Sequence, residues 1–452
     1  MGIFLNSTAP FEAYKITALD KYFVDKTMLI EELIPSIGRE QRFLCITRPR
    51  RFGKTVMANM VASYFGKAID SSFVFEHLAI AKSPVYEEYI NKYDVIYIDF
   101  SRLPENCQTY EEYINRIKTG IKEDLLEEFS ELELKEEMSL WDILAKIFQK
   151  TNRKFMFIMD EWDAVFHMPF ISQKERQEYL LFLKNLLKDQ VELAYMTGIL
   201  PIAKYSAASE LNMFVEYNMA TRERFSSYFG FSEEEVDKLF QIYSETTIRP
   251  RITRHDLKIW YDGYCTASGE QLYNPRSIIC ALSDNQLGSY WTGSGPYDEI
   301  FYYIKGNIDE VREDFILMIS GEHIEAKVQE YAATAEELTT KNQIYSAMVI
   351  YGLLTYEDGE VFIPNRELMY KYNELLLTNE SLGYVYRLAK ESERMLKATL
   401  AGDTQTMAEI LEYAHNTESP ILSYNNEIEL SAIVNLVYLA ARDKYRVERE
   451  DK

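Results

Sequence analysis

The chain has 452 residues, 47% of them hydrophobic and 27% charged, with 18 glycines and 12 prolines. These proportions exclude collagenous, low-complexity and disordered classes and leave room for two or three domains with cores of their own. The 49 Lys and Arg against 72 Asp and Glu give a net charge of −23, which opposes attraction to phosphate backbones or anionic lipid, so nucleic-acid contact would need a local basic patch.

In chain order, Arg42–Thr47, Asp94–Phe100, Lys154–Asp160 and Glu192–Thr197 read as strands, with amphipathic stretches near 54–66, 110–128, 138–150 and 173–188 as the helices between them. Continuous apolar runs bounded by polar residues and separated by helices predict an α/β domain, a parallel sheet with helices on both faces. After about residue 230 helical periodicity takes over, and Ser232 with Glu235 predicts a capping box where a mostly helical region opens. Within it Ile344–Leu354 reads as a helix running into Thr355–Ile363, where Asp358-Gly359 suits the positive φ of a tight hairpin. That pairing is either a winged-helix-like unit or a surface hairpin on a helical bundle. Helices near 383–400, 404–415 and 426–442 follow, then an extended run at Tyr445–Glu448. The expected domains are 1–230, 231–375 and 376–452.

The strand Arg42–Thr47 runs into Arg48-Pro-Arg-Arg-Phe-Gly-Lys-Thr55 and then a helix, the context of a phosphate-binding loop of Walker A type. Such a loop turns backbone N–H groups inward. The nucleotide-contacting residues are therefore taken as Pro49, Arg50, Arg51, Phe52, Gly53, Lys54, Thr55 and Val56. Gly53 allows close backbone approach, the helix N-terminus adds positive potential, Lys54 would reach the β and γ phosphates, and Thr55 would offer its hydroxyl to Mg²⁺. Arg48 stands where the general pattern has glycine, so its side chain must point away from the cradle.

Lys154–Met159 is a buried-strand pattern ending in Asp160-Glu161, at the sheet edge where doubly wound folds bind ligands. Asp160 would hold Mg²⁺ and Glu161 would polarise the attacking water; the plainer reading is two acids that end a strand. Asp99 ends a rival strand without an adjacent Glu and is expected beside the site. Thr197, ending the next strand, could read the γ-phosphate or simply cap a turn. Arg222 and Arg224 are candidates for a trans-acting arginine, or solvated loop residues. No guanine-reading Asn-Lys-x-Asp follows, so ATP is the expected nucleotide, with Mg²⁺.

Tyr22-Phe-Val-Asp-Lys-Thr27, the loop 48–55, the Asp160-Glu161 strand, Thr197-Gly-Ile199, Trp260-Tyr-Asp-Gly-Tyr264 and Tyr273-Asn-Pro-Arg-Ser277 together resemble the bacterial AAA-ATPase-like proteins over roughly residues 8–300. The resemblance implies an AAA-type P-loop domain, then helical segments, then a nuclease-like PD-(D/E)xK domain, with arginine common at the position of Arg48. It also implies that Asp25 and Lys26 fall in a segment covering the nucleotide base. Ser423–Leu430 and Tyr445–Glu450 resemble the opening of that nuclease domain, whose catalytic core is absent from the sequence. AAA-type domains often form rings that complete each site with a neighbour's arginine, which makes a homo-oligomer a candidate partner beside DNA or protein bound through the helical region.

Glu133-Leu-Lys135 and Glu325-Ala-Lys327 carry the Glu-x-Lys spacing but read as charged helix faces. The five histidines fall in no metal or triad motif. Cys45, Cys107, Cys265 and Cys280 form no C-x-x-C and no zinc spacing, the pattern of thiols in a reducing compartment. The longest apolar runs are about half a bilayer span and the N-terminus lacks a signal-peptide pattern, so a cytoplasmic protein without a membrane partner is expected. The leading expectation is a Mg²⁺-dependent ATPase acting as a switch or motor for an effector. The alternatives are a non-hydrolysing nucleotide-binding scaffold and a DNA-binding module.

Overall fold

A five-stranded parallel sheet forms where the apolar runs lie: β1 (Phe43–Thr47), β2 (Asp94–Asp99), β3 (Phe155–Asp160), β4 (Val191–Gly198) and β5 (Val215–Tyr217), in the order β2-β3-β4-β1-β5. The structure, a computed structural model, describes residues 2–202, 211–220, 222, 224–291, 308–328, 338, 340–378, 384–416 and 427–441. They form two compact units, Met1–Thr246 with Thr266–Ser268, and Thr247–Cys265 with Gly269–Lys452.

In the first unit, β1 and β3 are buried along their whole lengths, which is why their sequences are uniformly apolar rather than alternating. The longer helices are α1 (Ala9–Ala18), α2 (Lys54–Phe65), α3 (Tyr110–Glu128), α4 (Leu140–Thr151), α5 (Gln173–Leu186) and α6 (Glu233–Thr246). Helix α2 buries most of its residues, in one core with Leu44, Ile46, Met156 and Ile158 of the sheet and Phe11 and Tyr14 of α1. Capping boxes start α3 at Thr109 with Glu112 and α5 at Ser172 with Glu175, and the one expected at Ser232 and Glu235 starts α6. Helix α4 turns Leu140, Ile143, Leu144 and Ile147 to the interior, the spacing of one helical face.

The N-terminal arm covers the outer edge of β2. Leu5 bridges Ile96 in antiparallel sense, Tyr97 N donates to Phe4 O (2.9 Å), and Asn6 N donates to Val95 O (2.8 Å). The Asp124 carboxylate on α3 accepts from the backbone N–H groups of Ile3 (3.2 Å), Phe4 (2.7 Å) and Leu5 (2.9 Å). An open strand edge exposes unpaired N–H and C=O groups, and the arm occupies them. Asp124→Ala leaves three amides without their charged acceptor; the expected outcome is rapid amide exchange at residues 3–6 and a stability loss of about 1–3 kcal/mol in denaturant titration. Unchanged exchange there would refute the clamp.

The second unit is mostly helical: α7 (Arg254–Tyr261), α8 (Pro275–Asp284), α9 (Ile308–Ile319), α10 (Lys341–Ile350), α11 (Arg366–Thr378), α12 (Tyr384–Ala401), α13 (Thr404–Asn416) and α14 (Glu427–Val437). Between them lie the hairpin β6 (Tyr264–Cys265) with β7 (Gln271–Leu272) and a three-stranded antiparallel sheet. In that sheet β8 (Ile324–Glu325) and β9 (Thr355–Glu357) flank β10 (Glu360–Phe362). The turn at Asp358 (φ 49°) and Gly359 (φ 94°) closes the expected hairpin. Helix α10 followed by this sheet has the form of a helix with a wing.

Residues of the two stretches 260–264 and 273–277 staple this unit. Gly263 (φ 100°) lies so close to the Pro364 carbonyl that no side chain fits. Asn274 caps α8 with Pro275 in its first turn, and the buried Glu367 accepts from Ser277 Oγ (2.7 Å) and Trp291 N (2.7 Å).

Both Glu-x-Lys triplets differ from expectation. Glu133 adopts a left-handed conformation (φ 50°) that ends the short turn Ser130–Leu132, so Glu133–Lys135 is loop, not helix. Gly321 (φ 94°) follows α9, and the chain then extends so that Glu325 pairs with Glu360 across β8 and β10. Of Ser423–Leu430, only Glu427–Leu430 is described, at the start of α14; the run Tyr445–Glu448 lies outside the described residues, as do Ala203, Thr221 and Glu223. No helix among the described residues is long and apolar enough to cross a membrane.

Candidate functional site

The loop after β1 is shaped by two left-handed residues, Arg51 (φ 68°) and Gly53 (φ 88°), and Gly53 is the N-cap of α2. A Cβ on Gly53 would meet nothing within 4 Å, so glycine is required there by backbone conformation, not by crowding. Lys54 is the first residue of α2 and is 6% exposed; its Nζ donates to Arg48 O and Pro49 O, both at 3.0 Å, and so spans the loop. Burial pulls the Lys54 ammonium pKa down, while Asp163, Glu161 and Asp160 oppose that shift. Pro49 and Phe52 are buried, Arg50 and Val56 half-buried, and Arg51 and Thr55 exposed.

Strand β4 lies between β1 and β3, which brings the end of β4 between the loop and Asp160. Thr197, fully buried, donates its hydroxyl to Asp160 Oδ1, and the Thr55 side chain lies near enough to the same carboxylate to hold its pKa down. The loop threonine and Thr197 of β4 thus converge on the carboxylate that ends β3. Burial raises the Asp160 pKa, with the two threonine side chains working against it. Glu161 is raised by burial first and by Asp160 second. Its backbone is left-handed (φ 51°), a conformation that costs a non-glycine residue on the order of 1 kcal/mol. Neighbouring hydrogen bonds, Trp162 N to Thr197 O (3.0 Å) and Ala164 N to Glu161 O (2.9 Å), hold it there.

Asp163 is a site residue that the sequence reading missed. It is 3% exposed, and its Oδ2 accepts from Ile199 N (3.0 Å) and Leu200 N (2.8 Å), fastening the turn that follows Thr197. It also leads the acids that act on Lys54. Three residues beyond Asp160 it reads as an ordinary loop acid; only the tight turn at Glu161 brings it back to the sheet edge. Asp163→Ala is expected to lower ATP turnover at least about tenfold, by leaving two amides unpaired and releasing the Thr197 turn. Unchanged turnover in a folded variant would dismiss Asp163 from the site.

Asp99 is the register partner of Asp160 across β2 and β3, and its carboxylate accepts from Ser101 N (3.0 Å), Ser101 Oγ (2.6 Å) and Arg102 Nε (3.0 Å). Asp25 accepts from Thr27 N (2.9 Å), Thr27 Oγ1 (2.6 Å) and Ala79 N (2.6 Å). Lys26 donates to Ser227 O (2.6 Å) and pairs with Glu235 at 2.6 Å. Arg224 reaches Glu32 O (3.2 Å) and the Glu32 carboxylate (3.5 Å), and Arg222 is exposed. Arg48 is 1% exposed, and its guanidinium points away from the cradle, donating to Thr47 O (2.7 Å), Tyr217 O (2.9 Å) and Ser226 Oγ (3.2 Å).

A P-loop between β1 and α2, with an acid pair at the end of β3, defines the class: a P-loop NTPase domain on an α/β sheet. Residues 11–208, most of the first unit, match the family model for AAA-ATPase-like domains described as "Predicted AAA-ATPase". No curated protein matches the sequence. Among solved structures, the chain is similar to the Walker-type ATPase PABY2304 of Pyrococcus abyssi, at 12% identity over 77% of this chain and 94% of that one, with a TM-score of 0.40. It is also similar to the ORC2 protein of Aeropyrum pernix, solved as ADPNP-ADP complexes, at 11% identity over 83% of this chain and 95% of that one, with a TM-score of 0.34.

Proposed function

We propose that the first unit binds ATP with Mg²⁺ and hydrolyses it, as a switch for an effector attached to or recruited by the second unit. The observation that carries this reading is the convergence of Thr55, Thr197 and Asp160 in front of Lys54. Lys54 and the N-terminus of α2 supply positive charge to the phosphates, and the loop N–H groups orient them. Thr55 and Asp160 offer hard oxygen ligands, which fit Mg²⁺ because that ion takes few protein oxygens and completes its shell with phosphate and water. Bound there, Mg²⁺ would neutralise charge on the phosphate oxygens. Glu161 is the general base that orients the attacking water. Thr197 holds the Asp160 carboxylate and stands where a γ-phosphate would be read.

The test is phosphate release and thermal stabilisation with ATP, each with and without Mg²⁺. Mg²⁺-dependent stabilisation with turnover supports the switch; stabilisation without turnover supports the non-hydrolysing scaffold; neither one removes the nucleotide reading. For the second unit, a protein partner is better supported than DNA. The wing aligns Glu325, Glu360 and Glu357 in one register across its three strands, and three carboxylates in a row repel a phosphate backbone.

A further inference from the structure

Among the described residues Arg48 is a buried cation with no carboxylate paired to it. Its guanidinium donates to two backbone carbonyls and a hydroxyl, its Nε has no hydrogen-bond partner, and its carbon lies 5.0 Å from the Phe229 ring centroid. Burial, its largest perturbation, pulls its pKa down to about 9. Buried arginines are ordinarily paired with a carboxylate, because an uncompensated interior charge is costly. The same residue belongs to the P-loop through its backbone: Arg48 N donates to Gly198 O (3.1 Å), and Arg48 O accepts from Lys54 Nζ (3.0 Å). Its side chain thus fastens the loop to Tyr217, Ser226 and Phe229. A second link runs in parallel, Gly230 N to Phe52 O (3.4 Å). From Ser227 the contacts continue through Lys26 to Glu235 in α6.

We propose that Arg48 is a positioning residue whose uncompensated charge is stabilised across the loop by the phosphates held on its other side, so that nucleotide occupancy tightens Tyr217 and Ser226–Gly230 against the P-loop. The inference rests on nucleotide binding at the loop and adds a route by which occupancy reaches the start of α6. An anion on the cradle side of the loop stabilises the guanidinium and the contacts it makes. By reciprocity, whatever holds Arg48 in place strengthens phosphate binding.

The experiment uses the full chain and Mg²⁺-ADP, with Arg48→Met and Arg48→Lys. Methionine fills the buried space without a charge, and replacing a buried ion by an apolar side chain is often neutral for stability. Affinity is read by calorimetry and amide exchange at 217–230 with and without nucleotide. The nucleotide-dependent difference in exchange is a quantity that a purely structural role would not move. In the wild type, Mg²⁺-ADP is expected to slow exchange at 226–229 by roughly tenfold, within the usual range of coupling between sites. Arg48→Met is expected to bind about tenfold more weakly, the scale of one buried unit charge acting through protein, and to lose the slowing. Arg48→Lys keeps the charge but not the planar fork, so it should hold affinity within about threefold while losing most of the protection.

Wild-type affinity or protection in Arg48→Met overturns the proposal. If that variant does not fold, full protection at 226–229 in Arg48→Lys overturns it instead. Failure of the wild type to bind nucleotide overturns the ATPase reading and this one together, whereas normal wild-type binding with unaltered variants overturns this one alone.

Discussion

Lys54→Ala is expected to abolish nucleotide-dependent stabilisation. The ammonium is buried and spans the loop through Arg48 O and Pro49 O, and Asp163, Glu161 and Asp160 face it. Its loss removes a charged donor to phosphate, about 1.5–3 kcal/mol for each hydrogen bond. It also leaves three acids to meet a polyanion without the lysine between them. Together these effects should weaken ATP binding by about a hundredfold or more. Wild type with ligand at a hundred times its Kd gains about 2.7 kcal/mol, a shift readily seen in thermal melts, and the variant should gain close to none. Melts of the protein alone provide the control, since two loop carbonyls also lose their donor. Equal ATP-dependent shifts in wild type and variant would remove the phosphate site from the loop.

Glu161→Gln is expected to bind ATP as the wild type does while turnover falls about 10²–10⁴-fold, the usual contribution of a positioned base. The neutral amide keeps the size of the side chain but cannot accept the proton of water. The raised Glu161 pKa, caused by burial and then by Asp160, sets the sign of the pH dependence. Hydrolysis needs the carboxylate, so turnover should decline as pH falls through a pKa above the ordinary glutamate value, and the residual rate of the variant should lack that limb. Stability runs the other way. Asp160 and Glu161 both have folded-state pKa values above the unfolded ones, so their contribution is full at low pH and lost as pH rises through the raised values. At neutral pH the nucleotide-free Glu161→Gln protein should therefore melt no lower than wild type. A variant that hydrolyses ATP at the wild-type rate would strip Glu161 of its role.

The sequence resolved what repeats locally. The expected strands match β1 to β4 within two residues at either end, because each is an uninterrupted apolar run. The expected helix 110–128 is α3, Tyr110–Glu128, because it has both a capping box and a clear apolar face. Long-range partners were not legible. β5 is a three-residue strand whose register with Leu44–Ile46 leaves no periodic signal. The arm at Leu5 and the clamp at Asp124 depend on chain segments far apart in sequence. At the site, Lys54, Thr55, Asp160 and Glu161 could be found because motif spacing encodes local geometry. Asp163 and the destination of the Arg48 side chain could not, because both depend on how separate strands come together. Glu325 misled for the same reason: its charged neighbours look helical, and pairing with β10 decides otherwise.

The N-terminal arm has a consequence for the order in which this protein can be built. Phe4 and its acceptor Asp124 are 120 positions apart, and β2 lies between them in sequence, so the arm, made before α3, is fastened only after α3 has emerged. Contacts of such separation form late, since the intervening chain must first be ordered. Until then a nascent chain carries β2 with its outer edge uncovered, the interval in which strand-to-strand aggregation between neighbouring chains on a polysome is most favoured.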